Sequence, residues 1–119
     1  MAEKIVVIST GGTIAMKEVA EQGVIPELAG NKLIEAVPPL SNICPVEVIE
    51  FSNIPSPHMH PKMMFALAKL VDKVLKRKEV GGLVVTHGTD TLEETAYLLD
   101  LVISSQKPVC LTAAMRSST

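Results

Sequence analysis

Two short segments of this sequence place hydroxyl groups beside glycines, an arrangement suited to nucleophilic chemistry. The first is TGGT, in which Gly11 and Gly12 separate Thr10 from Thr13. Adjacent glycines let the backbone turn sharply and bring its amide groups close to a bound molecule. A threonine hydroxyl beside those amides could attack a carbonyl group while the amides stabilise the oxyanion. A plain tight turn or a phosphate-binding nest is also compatible with this segment alone.

The second segment is HGTD, which runs from His87 to Asp90, where a predicted strand passes into a predicted helix. Gly88 permits an unusual turn, Thr89 offers a hydroxyl, and Asp90 offers a carboxylate near the helix N-terminus. Asp90 or Thr91 is also suited to cap that helix. The two interpretations are compatible only if one residue caps the helix while the other faces a cleft.

The three histidines raise the question of a metal site. His58 and His60 are two residues apart, and a His-x-His pair on a strand can bind zinc. Here the pair lies in a proline-rich loop with no carboxylate beside it, so no metal site is expected. His87 is predicted to support the following loop through hydrogen bonds. Arg116 could pair with a carboxylate of a ligand or form a structural ion pair.

The elements that position these segments follow from the distribution of apolar residues. Continuous apolar runs rich in β-branched residues predict buried strands at Lys4–Thr10, Val46–Phe51, Gly82–His87 and Pro108–Ala113. Helical segments between them give the order β-loop-α-β-α-β-α-β, and hence an open, mainly parallel α/β sheet with flanking helices. Ligands bind beyond the carboxyl ends of such strands. All four ends carry hydroxyls or small residues, which predicts one shared cleft.

Three helices are predicted between the strands. A short one begins near Asn31 and is stopped by Pro38 and Pro39. The second begins at Pro61, runs to Lys78 with one apolar stripe, and is ended by the glycine pair 81–82. The third covers 90–105, and its second half is apolar nearly all round. That half is therefore expected to be deeply buried or to lie at a subunit contact.

The composition narrows the function classes. The chain has 119 residues, enough for one domain, and a net charge of −2, which gives no basic excess for binding nucleic acid. One tyrosine, two phenylalanines and no tryptophan make a base-stacking surface improbable. Cys44 and Cys110 match no metal spacing and are interpreted as reduced core residues. There is no secretory signal or apolar run of membrane-spanning length, so a cytoplasmic protein without membrane contact is expected.

Taken together, the motifs resemble one family. TGGTIA closes the first strand, THGTDTLEETAYLLDL follows the third, NIPSPHM lies between them and AMRSST follows the fourth. This combination resembles the bacterial-type L-asparaginase/glutaminase family over essentially the whole chain. The resemblance implies a Rossmann- or flavodoxin-like three-layer fold. Residues 1–119 would be the front part of the family's N-terminal catalytic domain, with the rest of that domain and the C-terminal domain absent.

The resemblance also implies an activity and residue roles. The reaction would be hydrolysis of L-asparagine, with L-glutamine as an alternative, to the acid and ammonia by an amidohydrolase acting on a linear amide. Thr13 matches the family's nucleophile, which forms a β-aspartyl ester. Thr89 and Asp90 match a second catalytic pair, in which Asp90 holds the substrate ammonium group. Ser56 matches a serine that binds the α-carboxylate, and Ala114 a residue whose carbonyl receives the amide nitrogen.

The same resemblance implies no cofactor, no metal and a homodimer or homotetramer. The sequence departs from the family pattern in the loop after TGGTIA, which lacks the tyrosine common there; the only tyrosine, Tyr97, falls in the third helix. Pro57 stands where some members have glutamine, and Ala113 where glycine is common. The family's catalytic lysine would lie beyond Thr119, so residues 1–119 alone are expected to be inactive. A non-catalytic amino-acid-binding domain and a nucleotide-binding domain using the glycine pair remain alternatives.

Overall fold

Four parallel strands form the main sheet, and their order places the first strand between the second and third strands of that sheet. The computed structural model describes residues 3–12, 16–19, 23–26 and 40–116. The sheet contains β1 (Lys4–Gly11), β4 (Val46–Ile54), β5 (Val80–Thr86) and β6 (Val109–Thr112), in the order β4-β1-β5-β6. All three strand pairs are parallel. The predicted open parallel α/β sheet is therefore confirmed.

The helices and a small hairpin complete the described elements. Helix α1 (Leu40–Ile43) is a single turn before β4, α2 (Pro61–Leu75) connects β4 to β5, and α3 (Leu92–Val102) connects β5 to β6. An antiparallel hairpin of β2 (Met16–Val19) and β3 (Gly23–Pro26) was not predicted from the sequence. Thr13 and the helix predicted from Asn31 lie outside the described residues.

Several predicted boundaries differ from the structure. β4 continues to Ile54, three residues beyond the apolar run, and α2 ends at Leu75 rather than at Lys78. Gly81 and Gly82 lie inside β5 and do not end the helix. A Cβ on Gly82 would lie 3.1 Å from the ring of Pro108, so close packing against the start of β6 accounts for this glycine.

The hydrophobic core lies between the sheet and helices α2 and α3. Alternate strand residues point toward these helices, as the pleat requires. The core joins Val6, Ile8, Leu83 and Val85 of the sheet to Leu67, Val71 and Leu99 of the helices. Both helices cover the same face, because β4 to β5 and β5 to β6 cross over in the same direction. They therefore run parallel to each other, from the carboxyl edge of the sheet to its amino edge.

The strand order fixes where a ligand could bind. The chain moves from β1 to β4 on one side and then returns to β5 on the other side of β1. In open α/β sheets, ligands bind beyond the carboxyl ends of the strands where the direction of winding reverses. That position here is the end of β1 beside β5, where Gly11 and Gly12 lie next to the start of the HGTD segment.

Ion pairs connect residues at the amino edge of the sheet, opposite the carboxyl edge where a ligand could bind. Glu47 accepts hydrogen bonds from Arg77 (Nη1 3.0 Å, Nη2 2.8 Å) and from Lys4 Nζ (3.1 Å). Hydrogen bonds from Arg77 first, and then from Lys4, lower the pKa of the Glu47 carboxyl to about 2. The pKa of Glu79 is also lowered, first by a backbone hydrogen bond and then by Arg77, whose Nε donates to it at 2.9 Å.

The cysteines are not core residues. Both are free thiols, as predicted, but Cys44 is only half-buried and Cys110 is exposed on β6. Cys110 is exposed because it alternates with the inward-facing Val109 and Leu111 on a strand at the edge of the sheet. Within the ranges that the structure describes, no helix has the length and apolar character needed to cross a membrane.

Candidate active site

Backbone contact between two glycine-containing segments forms the floor of the site. Gly11 and Gly12 have φ angles of +109° and +84°, which only glycine adopts without strain. A Cβ on Gly12 would lie 2.5 Å from both the Cα and the N of Gly88. The prediction that the first and third predicted strands lie side by side is confirmed, and Gly12 lies against His87 and Gly88. Packing thus accounts for the glycine pair without a bound phosphate.

Ser56 links this floor to the start of α3. It lies in a short 3₁₀ turn after β4 and is 3% exposed. Its Oγ accepts a hydrogen bond from the backbone N–H of Asp90 (2.9 Å) and donates one to Asp90 Oδ2 (3.1 Å). A Cβ on Gly88 would lie 2.5 Å from the Cβ of Ser56, so glycine at that position allows this approach.

Asp90 and its neighbours face outward from this contact. Thr89 and Asp90 are exposed, so both side chains are accessible to a solute. Thr91 occupies the N-cap of α3, but its side chain makes no cap hydrogen bond. Its Oγ1 instead donates to the backbone carbonyl of Ser56 (2.9 Å). Thr91 therefore ties the Ser56 turn to the helix, which the capping interpretation did not predict.

His87 is a buried support beneath this loop, as predicted. It is fully buried, and its Nδ1 lies 2.8 Å from the carbonyl oxygen of Gly88. Since a carbonyl only accepts, Nδ1 must donate, and in the neutral ring Nε2 then accepts from Thr95 Oγ1 at 2.9 Å. Both ring nitrogens are thus occupied. Among the described residues, no group of three or more His, Cys, Asp or Glu side chains could hold a metal ion.

Hydrogen bonds from hydroxyl groups connect the ends of the strands. Thr10 Oγ1 donates to the carbonyl of Thr86 (2.7 Å), and Ser52 Oγ donates to the carbonyl of Thr10 (2.8 Å). The Thr86 hydroxyl is itself buried, with no hydrogen-bond partner among the described residues. Sequence reasoning missed the roles of Thr10 and Ser52. The sequence feature that could have indicated these roles is a hydroxyl residue near the carboxyl end of a strand, where an apolar residue would otherwise be expected.

The structure brings together some of the predicted site residues and does not describe all of them. Ser56, Asp90 and Thr89 lie in one cluster beside Gly12. Ala114 is half-buried just after β6, the neighbour of β5, and Arg116 is exposed near the end of the described chain. Thr13 lies outside the described residues, one position after Gly12. The described part of the cluster therefore holds an accessible carboxylate and hydroxyl groups.

This arrangement suits recognition of a small zwitterion. A carboxylate on a well-bonded loop can take an ammonium group, and adjacent hydroxyl and amide donors can take a carboxylate. The hydrogen bonds of Ser56 and Thr91 hold Asp90 in place before any ligand arrives, which lowers the entropy cost of binding. A hydroxyl nucleophile at the end of β1 would add acyl transfer to this recognition.

Comparison with known proteins gives consistent matches. A family model described as "Asparaginase, N-terminal" matches residues 4–119. L-asparaginase 2 of Bacillus subtilis is 42% identical over 117 residues, which is 95% of this chain and 31% of the relative. Glutaminase-asparaginase of Acinetobacter glutaminasificans is 36% identical over 119 residues, or 97% of this chain and 36% of the relative.

A solved structure agrees with the sequence matches. The probable cytoplasmic L-asparaginase from Campylobacter jejuni superimposes with a TM-score of 0.86 at 39% identity, over 98% of this chain and 34% of that one. The chain thus spans about a third of the length of the proteins that it matches.

Proposed function

Because the chain belongs to the asparaginase family, whose N-terminal domain it matches over residues 4–119, we propose that it is part of an amidohydrolase that converts L-asparagine to L-aspartate and ammonia. The observation that carries this proposal is the bonded pair of Ser56 and Asp90 beside Gly12. The pair supplies recognition of an amino acid next to the segment that carries Thr13.

The two ends of the substrate would be held by this pair. Asp90 would receive the α-ammonium group, and Ser56 would donate a hydrogen bond to the α-carboxylate. In the structure the Ser56 hydroxyl proton points to Asp90 Oδ2. When the ammonium group takes over that oxygen, the hydroxyl can rotate toward the substrate carboxylate while its oxygen still accepts from the Asp90 amide. The exchange leaves no polar group without a partner.

Thr13 would then carry out the acyl transfer. Its hydroxyl oxygen would attack the side-chain amide carbon, and the hydroxyl proton would pass to the amide nitrogen. The C–N bond would then break, releasing ammonia and leaving a β-aspartyl ester that water hydrolyses to L-aspartate and free Thr13. Thr89 would orient the attacking group, and the Ala114 carbonyl would receive the leaving nitrogen. We do not assign the activation of Thr13 to Tyr97, which is exposed on α3.

Substrate range, assembly and location belong to the same proposal. Asparagine and glutamine differ by one methylene, a difference worth about 1–3 kcal/mol in a shaped pocket. We take asparagine as the main substrate and glutamine as a possible second one. The family resemblance supports a cytoplasmic homodimer or homotetramer without metal or cofactor. We further propose that a catalytic lysine follows Thr119, so that residues 1–119 alone would be the front part of the catalytic domain and inactive.

The test is ammonia release from asparagine and glutamine by the protein at its full natural length. Thr13→Ala should abolish release while the circular dichroism spectrum stays unchanged. Ser104→Ala, which removes an exposed hydroxyl after α3, serves as the matched control and should retain the activity. Wild-type ammonia release by Thr13→Ala would refute the assignment of the nucleophile.

A second candidate function is supported by the same pair of residues. Ser56 and Asp90 could bind an amino acid in a domain that does not catalyse hydrolysis. The ammonia assay combined with calorimetry distinguishes the two candidates, because both would bind L-aspartate and only the hydrolase would release ammonia from asparagine. In both cases Asp90→Asn should weaken aspartate binding at least about tenfold, since a charge-assisted hydrogen bond is lost.

A further inference from the structure

The pairing of β1 with β4 changes register just before the candidate site. Ser9 of β1 pairs with Glu50 of β4, and the next pair joins Gly11 to Ile54. Between these two pairs β1 contains one residue, whereas β4 contains three, residues 51–53. Those three residues form a bulge, which we call the β4 bulge. Bulges often lie next to active sites, where they change the direction of the side chains that follow.

A side-chain hydrogen bond holds the β4 bulge against β1. Ser52, the middle residue of the bulge, donates from Oγ to the backbone carbonyl of Thr10 (2.8 Å). Thr10 is 1% exposed, and its own hydroxyl donates to the carbonyl of Thr86 at the end of β5 (2.7 Å). Beyond the bulge, the amide of Gly12 donates to the carbonyl of Ile54 (3.1 Å). The bulge is therefore bonded to the end of β1 both at its middle and just after its end.

The β4 bulge determines how far Ser56 lies beyond the end of β1. With regular pairing, Gly11 would lie opposite Ser52 rather than opposite Ile54. Ser56 would then follow the last pair by four residues instead of two, which would place it up to about 7 Å farther along the strand direction. The bulge therefore keeps Ser56 near the end of β1 and against Gly88, where a Cβ on the glycine would lie 2.5 Å from the serine Cβ.

We propose that Ser52 is a positioning residue that sets the length of the substrate that the site accepts, so that asparagine is favoured over glutamine. This inference rests on the proposed function, in which Ser56 binds the α-carboxylate and Thr13, next to Gly12, attacks the side-chain amide. The distance between those two groups must match the substrate, and the two substrates differ in it by one methylene. Without the Ser52 hydroxyl, the bulge can relax toward regular pairing. That change moves Ser56 away from the end of β1 and suits the longer glutamine.

The ratio of kcat/KM for asparagine to kcat/KM for glutamine tests this role in the protein at its full natural length. Ser52→Thr keeps the hydroxyl, and Ser52→Val has nearly the same shape as threonine without it. Because a misplacement of about 1 Å can lower a rate about 100-fold, Ser52→Val should lower kcat/KM for asparagine at least about tenfold. The value for glutamine should fall less, so the ratio should fall at least about threefold. Ser52→Thr should keep the wild-type ratio.

Two further variants separate the hydroxyl from other effects of substitution. Ser52→Ala removes the same hydroxyl without adding methyl groups, and the ratio should fall in it as in Ser52→Val. Ser104→Ala makes the same change at an exposed position after α3 and should leave the ratio unchanged.

Amide hydrogen exchange gives a second readout that does not need activity. Exchange of the Gly12 amide should become at least about fivefold faster in Ser52→Val and Ser52→Ala, because the pairing beyond the bulge opens more often, and it should not change in Ser52→Thr. Unchanged exchange in the first two variants, or equal losses of kcat/KM for both substrates, would overturn the proposal. If the wild type releases no ammonia, the proposed function fails and this inference fails with it. Release by the wild type with an unchanged ratio in Ser52→Val and Ser52→Ala overturns this inference alone.

Discussion

Gly88→Ala tests the packing on which the candidate site depends. The new Cβ would lie 2.5 Å from the Cβ of Ser56 and 2.6 Å from its Oγ. Carbon atoms in favourable contact are about 3.5–4.0 Å apart, so the Ser56 side chain must retreat by about 1 Å. A retreat of that size breaks both hydrogen bonds between Ser56 and Asp90, which are 2.9 and 3.1 Å long.

The expected loss of stability in Gly88→Ala combines two effects. Overpacking of a buried position destabilises a domain by about 1–3 kcal/mol, and each of the two lost hydrogen bonds adds about 0.5–1.5 kcal/mol. Gly88→Ala should therefore lower the free energy of unfolding by about 2–6 kcal/mol. Ser56→Gly removes the hydrogen bonds without the overlap and should cost about 1–3 kcal/mol. Adding Gly88→Ala to Ser56→Gly should then cost less than about 1 kcal/mol.

Urea unfolding followed by circular dichroism measures all four proteins of this double-mutant cycle. Gly82→Ala is the matched control, because Gly82 is also a buried glycine and the nearest neighbours of its Cβ would be the ring and carbonyl of Pro108 at 3.1 and 3.3 Å and Ile5 Cδ1 at 3.5 Å. The effect of Gly82→Ala on the free energy of unfolding should be small, and it should be the same with and without Ser56→Gly. An equal cost of Gly88→Ala with and without the Ser56 side chain would refute the proposed contact.

Two further predictions concern the opposite edge of the sheet. Glu47 has its pKa lowered to about 2, so its ion pairs stabilise the protein fully above its ordinary value of 4.5 and are lost as the pH falls toward 2. Glu47→Gln should therefore be less stable than wild type at pH 7, by up to about 1 kcal/mol. The urea midpoints of the variant and the wild type should converge near pH 2. An equal difference between the two midpoints at pH 7 and at pH 2 would contradict this prediction. Lys107 Nζ donates to the carbonyls of Leu75 and Arg77 at the end of α2 (2.8 and 2.9 Å). Lys107→Met should lower the free energy of unfolding, measured with urea, by about 1–2 kcal/mol. Lys78→Met, at an exposed position, should change it by almost nothing. Equal losses in the two variants would show that the contact of Lys107 with the end of α2 does not stabilise the helix.

Most of the sheet could be predicted from the sequence because its strands are short, continuous runs of apolar residues rich in β-branched side chains. Continuous β-branched runs gave the positions of β1, β4, β5 and β6 to within a few residues. The start of α2 at Pro61 was also predicted, since proline at the first helical position lacks an amide that would need a partner. The hairpin of β2 and β3 was missed, because two four-residue strands have too few residues to show a period.

The site could be predicted only where the residues along the chain carry a signal of the long-range contacts that they make. The hydroxyls and glycines at the strand ends indicated a shared cleft, and the pairing of β1 with β5 confirms their proximity. That Thr91 would bond to the Ser56 carbonyl instead of capping α3 was not predictable, because the partner comes from a distant loop. Local propensity favours a cap at this position, and tertiary packing overrides it. The same limit applies to Gly81 and Gly82, whose place in β5 depends on packing against Glu3 and Pro108.

The hydrogen bonds between Ser56 and Asp90 pass over the end of β1, because β4 and β5 lie on either side of that strand. During synthesis, Ser56 leaves the ribosome well before Asp90, and the two cannot meet until β5 has docked against β1. The contact on which the proposed amino-acid site depends therefore forms late in folding, after the long-range pairing that limits the folding rate of such sheets. A ligand of this site would bind the native state alone. Saturation with that ligand should slow amide hydrogen exchange in β1, β4 and β5 together, rather than in a single loop.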